Sequence, residues 1–169
     1  KRNHLIYLCV TFKVTHTDNA MLDQKIYHVY NRGVEKRDIF EEEADRWRFL
    51  QSLYLFNDEA SYHRTLTDFD RDGTPLNIKT LRKEVAPEDK EPLVKVMADC
   101  FMPNHYHLIL KEIKEDGISK FMQKLGIGYT NYFNKKYNRT GSLFQGSYKS
   151  ALVENEKYLK YLLIYVNVL

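Results

Sequence analysis

The sequence predicts an α+β fold: one antiparallel sheet with helices on one face. Three observations predict it. Apolar runs at 26–30, 94–102 and 105–111 have the length and β-branched or aromatic content of strands. The stretches 42–56 and 118–133 repeat apolar residues every three or four positions, the period of an amphipathic helix. Two of the strands are separated only by Pro103-Asn104, a turn dipeptide, so they pair as an antiparallel hairpin. With 169 residues, 43% hydrophobic and 14% aromatic, the chain has ample material for a single core.

Taken in order, residues 1–20 show little beyond a short strand over Leu5–Val14 and read as a peripheral leader, with the domain proper spanning 21–169. Ile26-Tyr27-His28-Val29-Tyr30 is a strand closed by the turn Asn31-Arg32-Gly33. A helix follows over Glu42–Phe56, with Trp47, Leu50, Leu53 and Tyr54 at helical spacing. Residues 58–92 hold Gly73, Pro75, Pro87 and Pro92 among mixed charges, which predicts a long irregular insertion with a short helix near Ile78–Glu84. Within it, Asp68-Phe69-Asp70-Arg71-Asp72-Gly73 imitates half a calcium loop. The twelfth position is Lys79, where such a loop needs a bidentate Glu, so calcium is not expected.

The hairpin Val94–Met102 and His105–Lys111 comes next, then a helix carrying Ile118, Phe121, Met122, Leu125, Tyr129, Tyr132 and Phe133 on its apolar side. Gly126 and Gly128 weaken that helix and predict a bend or a close backbone approach. After Asn138-Arg139-Thr140-Gly141, Ser142–Val153 reads as a strand, and Asn155 opens a last helix bearing Tyr158, Tyr161, Leu162 and Tyr165. The order β-α-(insertion)-β-β-α-β-α is that of a ferredoxin-like sandwich.

A net charge of +3 does not by itself mark a nucleic-acid binder. Its distribution is more telling. Between Gly117 and Tyr165, the bases Lys120, Lys124, Lys135, Lys136, Arg139, Lys149, Lys157 and Lys160 face only Glu154 and Glu156, so the last third presents a basic surface. Cys9 and Cys100 are far apart with no C-x-x-C spacing, so neither a disulfide framework nor a zinc knuckle is indicated, which suits a reducing, cytoplasmic setting. The Leu5–Val10 run is too short for a signal peptide, and no segment is long enough to span a bilayer.

The strongest chemical clue is His105-Tyr106-His107 at the start of the second hairpin strand. Side chains alternate faces along a strand, so the two imidazoles share one face and Tyr106 takes the other. Two neutral imidazoles on one face suit a divalent ion. On the residues alone, metal ligation stands beside the plainer reading of two half-exposed strand histidines.

His-hydrophobe-His on a sandwich strand, followed some sixty residues later by a helical tyrosine, resembles the single-tyrosine HUH transposases. Four blocks carry the likeness: Tyr27 to Gly33, Met102 to Leu110, Gly141 to Lys149, and Tyr161 to Leu169. They are most similar to the REP-associated tyrosine transposase branch and span nearly the whole chain from Met21. The resemblance implies a nuclease and strand transferase acting on single-stranded or hairpin DNA, with Mg²⁺ or Mn²⁺ on His105 and His107. It implies a tyrosine nucleophile that forms a 5′-phosphotyrosine, for which Tyr165 is favoured and Tyr161 is the runner-up. The family's third metal ligand falls at Leu169, with Asn167 two residues earlier, so this chain departs from the pattern there.

Arg32, Lys120, Lys124, Lys135, Lys136, Arg139, Gln145 and Lys149 are the expected DNA contacts, Arg32 foremost because a guanidinium grips phosphate bidentately or stacks on a base. His28 reads as an ordinary strand histidine. The resemblance leans toward a monomer over a homodimer. Two rivals remain: a non-catalytic binder of hairpin or single-stranded nucleic acid, and a hydrolase that uses water in place of tyrosine.

Overall fold

The structure, a computed structural model, describes residues 25–59 and 90–168, with side chains described as far as residue 164. The Leu5–Val14 strand, the 78–84 helix and the calcium-like stretch at 68–73 lie outside the described residues, as does nearly all of the 58–92 insertion. The observed elements are β1 (Ile26–Arg32), α1 (Glu43–Leu55), β2 (Val94–Met102), β3 (His105–Glu112), α2 (Gly117–Lys136), β4 (Lys149–Leu152) and α3 (Glu156–Val168). The strands form one sheet in the order β2-β3-β1-β4, every neighbouring pair antiparallel. This is the α+β arrangement expected, with helices packed on a sheet.

Strand alternation sorts the sheet into two faces. Val29, Phe101, Tyr106, Leu108 and Leu110 meet Phe49, Leu53, Phe121, Leu125, Tyr129 and Phe133 of α1 and α2 in the larger core. Phe49 is its hub: Phe40, Phe101, Tyr106 and Tyr129 all have ring centroids within 5.3 Å of it, three of them edge-on, the arrangement that aromatic quadrupoles favour. Gly128 sits where α2 crosses this layer, and a Cβ there would strike the Phe56 ring. The close backbone approach foreseen for the glycines is therefore to α1, and α2 runs unbroken past both of them.

The third helix packs differently from the other two. Leu159 and Leu162 of α3 join Ile26, Met97, Ala98, Cys100 and Ile109 in a second cluster on the opposite face of the sheet. The expectation of helices on one face thus holds for α1 and α2, while α3 covers the other. The physical reason is that β2 and β3 are apolar on both faces, so one helical layer cannot bury them.

Asp45 ties α1 to α2. Its Oδ2 accepts from the backbone N–H groups of Glu41 and Glu42 at 3.0 and 2.9 Å, closing the N-terminus of α1. The same carboxylate accepts from Tyr132 Oη, Lys136 Nζ and Tyr137 Oη at 2.7–2.9 Å, reaching the end of α2. Tyr129 Oη donates to Ile39 O at 2.6 Å, which satisfies the one polar atom of a fully buried ring.

The last strand is shorter than the pattern predicts. Of Ser142–Val153 only Lys149–Leu152 is a strand, because Gly141 and Gly146 take positive φ values of 84° and 146° that interrupt extended pairing. The loop between them is nonetheless anchored: Leu143 and Phe144 are buried in the larger core, and Phe144 bridges to Gly33.

Candidate active site

Strand register assembles the site. Residues paired across antiparallel strands share a face, and His107 pairs with Cys100 on β2 and with Tyr30 on β1, which in turn pairs with Lys149 on β4. The next row is Met102, His105 and Arg32; the row on the other side is Ala98, Ile109, His28 and Ala151. All three rows lie on the face that α3 covers. So His105, His107, Arg32 and Lys149 lie in neighbouring rows of one face, and His28 and Tyr30, which the sequence did not single out as site residues, lie among them.

His28 Nε2 lies 2.9 Å from His107 Nδ1, with the rings stacked at a centroid distance of 5.1 Å. Tyr30 stacks on the same ring at 5.9 Å. The His105 ring stands nearly perpendicular to that of His107, 5.1 Å away. The signal for His28 was present in the sequence as parity, since Ile26, His28, Tyr30 and Arg32 alternate onto one face. What parity lacked was the lateral register that sets β1 beside β3.

His105 is held by a chain of contacts from the turn before it. Asn104 Oδ1 sits 2.6 Å from His105 Nδ1, while Asn104 Nδ2 donates to Lys36 O at 3.2 Å, so the amide is oriented with its oxygen toward the ring. Gly33 N–H donates to Asn104 O at 2.9 Å, and the Ile39 and Phe40 N–H groups both donate to Pro103 O. The hairpin tip is therefore gripped by residues 33–40. Gly33 is required at this grip, because a Cβ there would overlap the Arg37 carbonyl oxygen.

Burial shifts the imidazoles toward the neutral form. Desolvation pulls His107 down to about 4, with the His28 and His105 rings adding to the effect. Burial lowers His28 as well, and burial followed by the Arg32 charge lowers His105. Neutral imidazole is the form that binds metal ions. With Nδ1 of His105 engaged by Asn104 and Nδ1 of His107 engaged by His28, Nε2 is the nitrogen through which each ring would coordinate. This donor pair fits a divalent ion. Among the described residues no group of three or more His, Cys, Asp or Glu is placed to hold one.

The 141–148 loop borders the same rows. Arg32 Nε and Nη2 donate to Gln145 Oε1 at 3.2 and 2.8 Å, Gln145 N–H donates to Arg32 O at 2.9 Å, and Asn31 Nδ2 donates to Gly146 O at 3.0 Å. The α2 bases lie elsewhere. Lys120 pairs with Glu59 at 3.0 Å, Lys124 donates to the Asp58 and Glu59 carbonyls, and Lys136 pairs with Asp45 and Glu42. Arg139 donates to Asn134 at 3.0 Å, and Lys135 is exposed in the last turn. The sheet stands between α2 and the histidines, so the single basic surface expected from the sequence is divided.

The tyrosines also divide. Tyr106 and Tyr129 are buried on the α1 and α2 side, where desolvation raises both phenols, and Tyr132 is pushed up to about 12. None of these is a poised nucleophile. On the histidine face, Tyr30 is 36% exposed beside His107. Tyr158 and Tyr161 stack on each other along α3, with Tyr161 60% exposed. Tyr165 follows one turn later in α3; its side chain lies outside the described residues, as do Leu169 and the side chain of Asn167.

A family model described as "Transposase IS200 like" matches residues 67–168, more than half of the chain, and the chain belongs to that family. Membership makes it a transposase-type, DNA-cleaving enzyme. No curated protein matches the chain. Among the described residues, no helix is long and apolar enough to cross a membrane.

Proposed function

We propose that this chain is a metal-dependent endonuclease and strand transferase for single-stranded or hairpin DNA, of the REP-associated tyrosine type, with Tyr165 as nucleophile. The observation that supports it most is that His105 and His107 share one sheet face, the one on which the tyrosine helix packs, and that each is engaged at Nδ1. When bound, Mg²⁺ or Mn²⁺ on the two histidines supplies Lewis-acid polarisation of a phosphate oxygen. The phenol oxygen of Tyr165 attacks phosphorus as its proton passes to solvent, the bond from phosphorus to the 3′-oxygen breaks, and that oxygen takes up a proton from water and leaves as a 3′-hydroxyl. The resulting 5′-phosphotyrosine conserves the ester bond, so attack by another 3′-hydroxyl rejoins strands without a nucleotide cofactor. Arg32, Gln145 and Lys149 border the histidines and would hold the flanking phosphates and bases.

The test is incubation with labelled single-stranded hairpins and Mn²⁺, followed by denaturing electrophoresis. A protein–DNA adduct that vanishes in Tyr165→Phe and in His105→Ala, and persists in Tyr30→Phe and Tyr161→Phe, supports the assignment. Loss of the adduct in Tyr161→Phe with retention in Tyr165→Phe moves the nucleophile one turn back. Salt-sensitive binding with no adduct under any condition leaves a DNA-binding relative without turnover, and cleavage that survives every tyrosine change would mean water is the nucleophile.

A further inference from the structure

We infer that His28 is a positioning residue for the metal site: it accepts the Nδ1 proton of His107 and thereby selects the tautomer in which His107 Nε2 can coordinate. This rests on the proposed metal-binding role of His105 and His107. Nothing in the order of the sequence ties His28 to the His-x-His motif, from which it is separated by most of the domain.

The argument starts from a proton count. Two neutral imidazoles joined through His28 Nε2 and His107 Nδ1, 2.9 Å apart, share one proton between those atoms. If His28 supplies it, His107 carries its own proton on Nε2, and that nitrogen has no lone pair for an ion. If His107 supplies it, His28 is the Nδ1-protonated tautomer, its Nε2 is the acceptor, and His107 Nε2 has a lone pair directed away from the bond. Only the second arrangement is compatible with coordination.

His105 reaches the same state by a simpler route. The Asn104 amide is turned by its bond to Lys36 O so that its oxygen faces His105 Nδ1, and an amide oxygen can only accept. His105 is thereby set as an Nδ1 donor. His28 does for His107 what Asn104 does for His105, and each ligand has its own acceptor on the same nitrogen. The difference is that an imidazole acceptor is also a potential donor, so the choice at His107 becomes definite when an ion occupies the site.

Position reinforces the assignment. His28 is buried and stacks on His107 at an interplanar angle of 22°, and its other ring contact is with Tyr30 at 5.2 Å. A ring that only filled space would serve equally well as Phe. A ring that accepts a proton would not, whereas Gln could supply an acceptor oxygen from a nearby position.

The test is Mn²⁺ alone titrated into the full chain, with free ion followed by electron paramagnetic resonance, for the wild type, His28→Phe, His28→Gln and His105→Ala. The expected result is weakening of about 10- to 100-fold in His28→Phe and of no more than about threefold in His28→Gln, the range for loss and partial replacement of an acceptor behind a metal-bound imidazole. His28→Phe binding as tightly as wild type while His105→Ala loses the ion overturns the role of His28 and leaves the metal site standing. His105→Ala binding as tightly as wild type removes the site itself and this inference with it. A second readout needs no substitution: nitrogen-15 spectra of the Mg²⁺-loaded wild type should show His107 protonated at Nδ1, and protonation at Nε2 would overturn the inference.

Discussion

Arg32 directs both Nε and Nη2 to a single oxygen of Gln145, at 3.2 and 2.8 Å, and the Gln145 backbone N–H returns a bond of 2.9 Å to Arg32 O. A fork satisfied by one acceptor still has donors to offer, and it stands in the same strand row as His105. Arg32→Ala should therefore weaken binding of a single-stranded hairpin about tenfold and reduce the slope of log affinity against log salt by about one. Fluorescence anisotropy across a salt series measures both, and an unchanged slope would remove Arg32 from the phosphate contacts.

The sheet separates the α2 lysines from the histidines, and several of those lysines already have acidic or carbonyl partners. Lys120→Ala and Lys124→Ala should change hairpin affinity by less than about twofold, while Lys149→Ala, in the row of His107, should weaken it by several-fold. Equal losses from Lys120→Ala and Lys149→Ala would restore the single basic surface that the sequence suggested.

Asp45 is fully buried and receives five hydrogen bonds, from the Glu41 and Glu42 backbone and from Tyr132, Lys136 and Tyr137. Burial pushes its carboxyl up, but the bonds from Lys136, Tyr137, the Glu42 backbone and Tyr132 together outweigh that and hold it below 3.8. Asp45→Ala should cost about 3 kcal/mol in urea unfolding, since it removes the acceptor shared by Tyr132, Lys136, Tyr137 and the Glu41 and Glu42 N–H groups. A carboxyl lowered in the folded state stabilises above its unfolded value and loses that contribution as pH falls through the folded one. The wild type should accordingly lose stability below about pH 3.8, and Asp45→Ala should flatten that acid limb; parallel acid limbs in the two proteins would refute the attribution.

Gly33 donates to Asn104 O from a position where a Cβ would overlap the Arg37 carbonyl. Gly33→Ala should destabilise the fold by about 1–3 kcal/mol, the usual range for forced overpacking, and should loosen the turn that orients His105. The check is a lowered Tm together with weaker Mn²⁺ binding. An unchanged Tm would mean that the 33–40 segment yields without cost.

Much of this fold could be read locally. Met102-Pro103-Asn104-His105 carried its own turn chemistry, and the hairpin, its register pair Met102 and His105, and the common face of His105 and His107 all follow from a two-residue period around a two-residue turn. The boundaries of α1 fell within a residue of the periodic stretch, and α2 runs three residues beyond its own, because each buries a continuous stripe. The β4 region was overextended, since apolar Leu143 and Phe144 imitate a strand while two positive-φ glycines turn the chain into a loop.

The one-dimensional pattern sufficed for what depends on neighbours along the chain: element type, turn position, and which strand residues share a face. Three-dimensional packing was needed for relations across the sheet. His28 meets His107 because β1 lies beside β3, α3 docks on the sheet face that carries the histidines because Leu159 and Leu162 find its apolar part, and the lysines of α2 fall on the far side. Strand order and the side on which a helix docks are set by burial among residues far apart in sequence, and neither a period of two nor one of 3.6 records them.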